Sequence, residues 1–387
     1  MITLQKAGVY FMRKQKRDPM KVVLRWTVIM VVLAVVVSLV GTGITSYRKN
    51  LLATMQSEAE KVNEERDQQY AVDLAEFEQA SASGANLAWP TQKSEGWDVV
   101  DLTNYPLENP GSTTMTRQEA MYTGMLLVNQ WHSRPDDFDD SGVVSVGSYT
   151  GGKIGVSDYN VKLFPVAITA LQEAVEAANE AGYTNYMVSE GYRSWDDQNA
   201  LFQKALDRLS SSYSGDALIE RAKQDVNYPG TSEFNSGLAF TLRLYSRTDA
   251  SVGKPAYSTT EAGQWMSENC WKYGLVFRFQ LSDFPTTGTV DKSYKTGIST
   301  QLNLYRYVGK GNAAVMHVLD YCMEEYIEYL QEHPHIAVFE DGTLRYEIYR
   351  QYVGDDTESF TVPTMSRATD YTVSLDNMGG IIIVYEY

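Results

Sequence analysis

Three short segments gather the side chains of this 387-residue chain that can bind or turn over a small polar ligand. The first is Ser189-Glu190-Gly191-Tyr192-Arg193-Ser194-Trp195-Asp196-Asp197-Gln198. The second is Pro229-Gly230-Thr231-Ser232-Glu233-Phe234-Asn235-Ser236-Gly237-Leu238-Ala239-Phe240-Thr241. The third is Gln301-Leu302-Asn303-Leu304-Tyr305-Arg306-Tyr307-Val308-Gly309. Arg193 matters most, because a guanidinium fork suits a carboxylate or a peptide carbonyl. A purely structural role stands beside that one: Arg193 can pair with an acid at a strand end, Gln198 can cap a turn and Ser232 can hold a loop. Other arrangements are missing. The chain has no Gly-x-Ser-x-Gly, no Walker loop and no Cys-x-x-Cys. Its four histidines, His132, His317, His333 and His335, show no His-x3-His pair, and a lone helical histidine is more often structural than a metal ligand.

In order and content, the three segments resemble motifs of the VanY-type zinc D,D-carboxypeptidases. The family patterns are S-x-Y-R-S-x-x-x-Q, P-G-x-S-E-H-x-x-G-L-A-x-D and E-P-W-H-Y-R-Y-V-G; the first has one extra residue before the tyrosine here. Flanking pieces are also similar: Leu127-Val128-Asn129 with Arg134-Pro135-Asp136-Asp137-Phe138, Asn269 to Phe279, and Glu324-Glu325-Tyr326. The resemblance extends over residues 115–335. It implies a zinc site with a His, an Asp seven residues later and a second His as ligands, leaving one position for water. A Glu three residues before the last His serves as base, and the metal lowers the pKa of its water. It also implies that Arg193 polarises the scissile carbonyl or binds substrate, and that Gln198 and Ser232 line the end that takes the terminal D-Ala carboxylate.

Every zinc-site position departs from that pattern. Phe234 stands for the first His, Thr241 for the Asp, Leu304 for the second His and Gln301 for the base. Phe and Leu offer no lone pair to zinc, Thr is a poor ligand, and neutral Gln cannot take a proton as a carboxylate does. The expectation is therefore no catalytic residue and no metal cofactor, although the family uses zinc. Relocated ligands drawn from the four histidines are the enzymatic alternative. A serine D,D-peptidase is not expected either, because the Ser-x-x-Lys of such enzymes is missing where it would be needed.

The elements that must position these residues show in the hydrophobic pattern. Leu163, Val166, Ala167, Ala170, Leu171, Ala174, Val175 and Ala178 keep helical spacing, and Gly182 ends that helix. Tyr186-Met187-Val188-Ser189 predicts a short strand leading into Arg193, followed by a helix over 195–209. Further expectations are a helix over 261–273, a strand over 275–279 and one long helix over 312–330. The last fifty residues alternate and predict a small β appendage. The fold class that follows is α+β: a small, mostly antiparallel sheet flanked by helices, with an N-terminal transmembrane helix and the C-terminal β appendage.

Trp26 to Thr45 is an uncharged run of 20 residues, enough for a helix spanning roughly 30 Å of hydrocarbon. Seven basic residues (Lys6, Arg13, Lys14, Lys16, Arg17, Lys21, Arg25) precede it, which places the N-terminus in the cytoplasm. No Ala-x-Ala-like site follows, so an uncleaved anchor is expected rather than a signal peptide. The domain reading is a cytoplasmic basic tail (1–25), a transmembrane helix (26–45), a helical stalk and linker (46–96), a carboxypeptidase-like domain (97–335) and the β appendage (336–387). The formal net charge is −16, and the part beyond the basic tail is more acidic still. Such a body repels phosphate backbones and excludes nucleic acid as a natural partner. Cys270 and Cys322 both sit in apolar helical patterns; they read as buried free thiols, or as one disulfide if the domain lies outside the membrane. The expected function is a membrane-anchored, extracytoplasmic pseudopeptidase of a Gram-positive cell wall, binding a peptidoglycan stem peptide or a cell-envelope protein without hydrolysis. A purely structural interaction subunit is the third reading.

Overall fold

The computed structural model describes residues 19–82, 92–94, 96–298, 301–355 and 357–387. Pro19–Ala82 is one helix of 64 residues, taking in the expected span and residues 46–82 of the expected stalk and linker. Among the described residues no helix is long and apolar enough to cross a membrane. Within the expected span, the side chains of 26, 36–41, 44 and 45 lie outside the described residues. The basic tail over 1–18 and the linker over 83–91 also lie outside them.

The body is a mixed α+β fold with two main sheets. The first has five strands in the order Gly155–Val156, Tyr186–Glu190, Ala239–Leu244, Leu304–Tyr307, Leu275–Phe277. Only the pair 155–156 with 187–188 is parallel; the others are antiparallel. The helix Pro165–Glu180 buries Ala167, Ala170, Leu171, Ala174, Val175 and Ala178, its apolar stripe, in one core with Val188, Phe240, Leu242 and Leu275 of that sheet. The strand Tyr186–Glu190 and the helix Trp195–Leu209 fall where the sequence pattern predicts them. Ser194 caps that helix: its hydroxyl accepts from the Asp197 N–H at 3.0 Å, and Asp197 reaches back to it.

The second sheet has six strands in the order Gln92–Ser94, Trp97–Asp101, His335–Glu340, Thr343–Tyr352, Gly380–Glu386, Asp370–Leu375. Its pairs are antiparallel throughout. A further pair joins Ser359–Thr364 to Gly111–Thr116. The residues expected as a separate appendage over 336–387 therefore share both pairings with the segment 92–116, and 55–387 forms one compact unit. Alternation along the C-terminal strands reveals β structure but not its partners, which lie more than two hundred residues upstream.

The expected single helix over 312–330 is two, Lys310–Leu319 and Met323–Glu332. Asp320 takes a left-handed conformation (φ 53°) and ends the first. The Cys322 N–H donates to Glu325 Oε2 at 3.1 Å and starts the second. The apolar stripe runs through the break because Leu319, Tyr321, Tyr326 and Leu330 all pack into one core. Cys270 and Cys322 are free and buried, and burial pushes the Cys270 thiol up to about 12, which makes it inert as a nucleophile.

Candidate functional site

The first two motifs meet where the strand Tyr186–Glu190 ends and the turn Glu233–Ser236 begins. The Arg193 N–H donates to the Phe234 carbonyl at 3.1 Å. Asn235 Nδ2 donates to the Arg193 carbonyl at 2.6 Å, and Asn235 Oδ1 accepts from the Ser232 N–H at 3.1 Å. Gly237 closes the turn at φ 68°, a conformation that suits glycine. The third motif enters through strand pairing: Leu304 lies directly opposite Thr241.

These segments wall a cavity of ≈ 270 Å³ whose lining includes Arg193, Gln198, Ser232, Phe234, Gln301 and Leu304. The structure thus brings together all three expected ligand-binding residues and three of the four positions expected to depart from a zinc site. Thr241 sits beneath them, buried, with its hydroxyl 3.0 Å from that of Ser189. Phe234 and Leu304 are buried in a small apolar cluster with Ala239, Phe279 and Ile298.

Arg193 is held from three sides. It donates to Gln198 Oε1 at 2.6 Å and to the Glu190 carboxylate, and its guanidinium lies 4.7 Å from the centre of the Phe234 ring. Gln198 is buried and donates in turn to the Asn227 carbonyl at 2.6 Å. The acid-paired arrangement of Arg193 is therefore present. Glu190 is nearly half exposed, and an ion pair of that kind contributes only about 0–1 kcal/mol. An incoming carboxylate can compete for the guanidinium without a large penalty.

Behind the cavity lies a charge network that sequence reasoning missed. Glu233 accepts from Arg278 Nε at 2.8 Å and also pairs with Arg306. Arg278 grips Glu324 with two bonds of 2.9 and 2.7 Å, and Asn129 Nδ2 donates to Glu324 Oε1 at 2.9 Å. Arg306 also donates to the carbonyls of Gly124 and Leu126 at 2.6 and 2.9 Å. Two guanidinium and two carboxylate groups thus balance in a buried setting, as buried charges require. Burial pushes the Glu324 carboxyl up, but the Arg278 charge and its hydrogen bonds outweigh this and hold it below the ordinary carboxylate value. The available signal was Arg278 and Arg306 inside otherwise apolar strand patterns, Phe277-Arg278-Phe279 and Tyr305-Arg306-Tyr307. Glu190, Asp225 and Asn227 also line the cavity, and none was singled out from the sequence.

The donor set does not fit zinc. Neither Phe234 nor Leu304 has a donor atom, and the Thr241 hydroxyl is engaged with Ser189. Among the described residues no group of three or more His, Cys, Asp or Glu side chains could hold a metal ion. The four histidines lie elsewhere. His132 contacts Asn129 Oδ1, His317 stacks on Trp271 at 4.2 Å, His333 meets Asp101 at 2.9 Å, and His335 meets Glu347 at 2.8 Å.

The family model for "VanY: D-alanyl-D-alanine carboxypeptidase" matches residues 160–310. A D-alanyl-D-alanine carboxypeptidase of Enterococcus faecium is 28% identical over 300 residues, 74% of this chain and 86% of the relative. The putative carboxypeptidase YodJ of Bacillus subtilis (strain 168) is 29% identical over 204 residues, 53% of this chain and 67% of the relative. The crystal structure of the vancomycin-resistance D,D-dipeptidase VanXYg, in complex with a D-Ala-D-Ala phosphinate analogue, superposes with a TM-score of 0.53 at 22% identity. It covers 72% of this chain and all of that one, and shows a shared fold. The chain carries, over residues 160–310, a domain of the VanY family of D-alanyl-D-alanine carboxypeptidases.

Proposed function

We propose that this protein is a membrane-anchored, extracytoplasmic pseudopeptidase that binds D-Ala-ended peptidoglycan stem peptides at the cell wall without cutting them. The carrying observation is the apolar cluster of Phe234, Leu304, Phe279, Ala239 and Ile298 at the positions where the family's zinc ligands would converge. Side chains there fill the volume that metal and water would take. The cavity beside the cluster persists and keeps Arg193, Gln198 and Ser232 on its wall. A guanidinium with one weakly held acid partner is suited to a terminal carboxylate. Relatives named as D-alanyl-D-alanine carboxypeptidases support that ligand class. The uncharged run Trp26–Thr45, with basic residues before it, supports a single-pass anchor with the body outside. Tethering raises the effective concentration of a weak binder near its ligand.

The test uses the full-length protein in detergent. After dialysis against zinc, elemental analysis should find less than about 0.1 zinc per chain, because a three-ligand site would retain its metal. A pentapeptide ending in D-Ala-D-Ala should bind by calorimetry with no release of D-alanine, and Arg193→Ala should abolish that binding. About one zinc per chain with D-alanine release would restore the enzymatic reading. Unaltered binding by Arg193→Ala would remove the assigned role of the guanidinium.

A further inference from the structure

A second and larger cavity, ≈ 380 Å³, lies away from the site above, between the peptidase-like body and the six-stranded sheet. From the body it is lined by Tyr273, Tyr307 and the ion pair Lys310–Glu173 at 2.9 Å. From the sheet it is lined by Tyr346, Glu386 and Asp370. Strand register sets those three in a row: Glu386 is directly opposite Tyr346 on one side and Asp370 on the other.

Two features of this groove are unbalanced. Glu386 and Asp370 place like charges directly opposite each other, a destabilising cross-strand pair. Both are exposed, and neither carboxylate has a cationic partner among the described residues. The hydroxyls of Tyr273, Tyr307 and Tyr346 have no hydrogen-bond partner among the described residues either. Tyr346 is only 6% exposed as a residue, but its hydroxyl is not among the buried atoms that lack a partner, so that hydroxyl opens onto the groove. Burial raises the Tyr346 hydroxyl to about 12, with the Glu386 charge adding to it. Burial followed by Glu173 likewise raises Tyr307. The groove therefore joins aromatic faces, unbonded hydroxyls and uncompensated negative charge, and each of the three attracts a cation. An ammonium group offers three donors to hydroxyls and carboxylates, and its alkyl chain suits the tyrosine rings.

We infer that this groove is a second binding site, for a primary alkylammonium group carried by a lysine side chain of a peptide or by a free diamine. Bound there, the ammonium bridges the body and the sheet and relieves the Glu386–Asp370 repulsion.

The experiment is calorimetry on the full-length protein in detergent with three probes: a blocked glycine pentapeptide with a central lysine, the same peptide with its lysine acetylated, and cadaverine. The lysine peptide should bind, and its acetylated form should bind at least about tenfold more weakly. Asp370→Asn with Glu386→Gln should weaken binding about tenfold while leaving the thermal midpoint unchanged or higher, since it removes a like-charge pair. That stability control keeps a folding defect from imitating lost binding. Cadaverine matching the peptide assigns the free amine as the source; a tighter peptide assigns the peptide. Equal binding of the acetylated peptide, undiminished binding by the double variant, or no binding of any probe would overturn the site. None of these results depends on the D-Ala-binding cavity.

Discussion

At the scale of single residues, the positions that the motif correspondence reads as departures from a zinc site are spatially coherent. Thr241 and Leu304 face each other across two strands, and Phe234 packs with Leu304, so three altered positions adjoin one another. Restoring Phe234→His, Thr241→Asp, Gln301→Glu and Leu304→His together should yield about one bound zinc per chain, read by elemental analysis. No zinc in a folded quadruple variant would mean that the motif correspondence is wrong. Without metal that variant should be less stable than the parent, because a buried carboxylate and two imidazoles would replace apolar contacts. Glu324 makes a separate prediction. Removing its charge leaves Arg278 buried with only Glu233, and breaking a buried pair typically costs about 3–5 kcal/mol. Glu324→Gln should show that loss in urea unfolding at neutral pH. The folded-state carboxyl lies below its ordinary value, so its contribution is complete above the unfolded value of about 4.3. It is lost as pH falls through the lower folded value. The gap between parent and variant should therefore close as the pH drops below about 4; a gap independent of pH down to 2 would refute the assignment.

At the scale of elements, the turn Glu233–Ser236 is the joint of the site. Gly237 ends it in the left-handed region, and a Cβ there would stand 2.7 Å from Phe164 Cδ2. Gly237→Ala should cost about 1–3 kcal/mol, visible as a lower thermal midpoint. Because the Phe164 N–H donates to the Gly237 carbonyl at 2.9 Å, the strain reaches the start of the helix Pro165–Glu180, and D-Ala peptide affinity should fall with it. A neutral substitution would mean that the turn relaxes without disturbing the site. Elements of this kind were legible where local chemistry dictates them. Ser194 with Asp197 marks a helix start, and the 3–4 spacing from Leu163 to Ala178 marks a helix face. What stayed hidden was set by distant partners or by conformation alone. Nothing in the spacing of Val315, Val318, Leu319, Cys322 and Tyr326 signals that Asp320 turns left-handed. Arg193 was legible as a site residue, whereas its partner Glu190 and the Glu233–Arg278–Glu324 network depend on contacts that only the folded chain creates.

At the scale of the whole molecule, the decisive feature is that the C-terminal strands complete a sheet begun near residue 92. The strand Trp97–Asp101 pairs with His335–Glu340, and Gly111–Thr116 pairs with Ser359–Thr364. Ile336, Val338, Ile348, Ile382 and Val384 are buried in one core with Val99, Ala313, Val315, Tyr326 and Leu330. Polar contacts tie the same region together: His335 meets Glu347 at 2.8 Å, and Arg350 pairs with Asp376 at 2.8 Å. Burying one large aliphatic side chain contributes about 1.5–3 kcal/mol, so those five residues rival the whole stability of an ordinary domain, about 5–15 kcal/mol. A chain ending at residue 335 would expose the faces of Lys310–Leu319 and Met323–Glu332 that now pack on this sheet. It should fail to show a cooperative melt by circular dichroism and should be cleaved by trypsin within its body, at concentrations that leave the parent intact. Residues 336–387 made alone should remain unfolded. If the truncated chain instead melted cooperatively at the parental midpoint and still bound a D-Ala-ended peptide, the C-terminal strands would be an independent appendage, and the sheet would contribute nothing to the site.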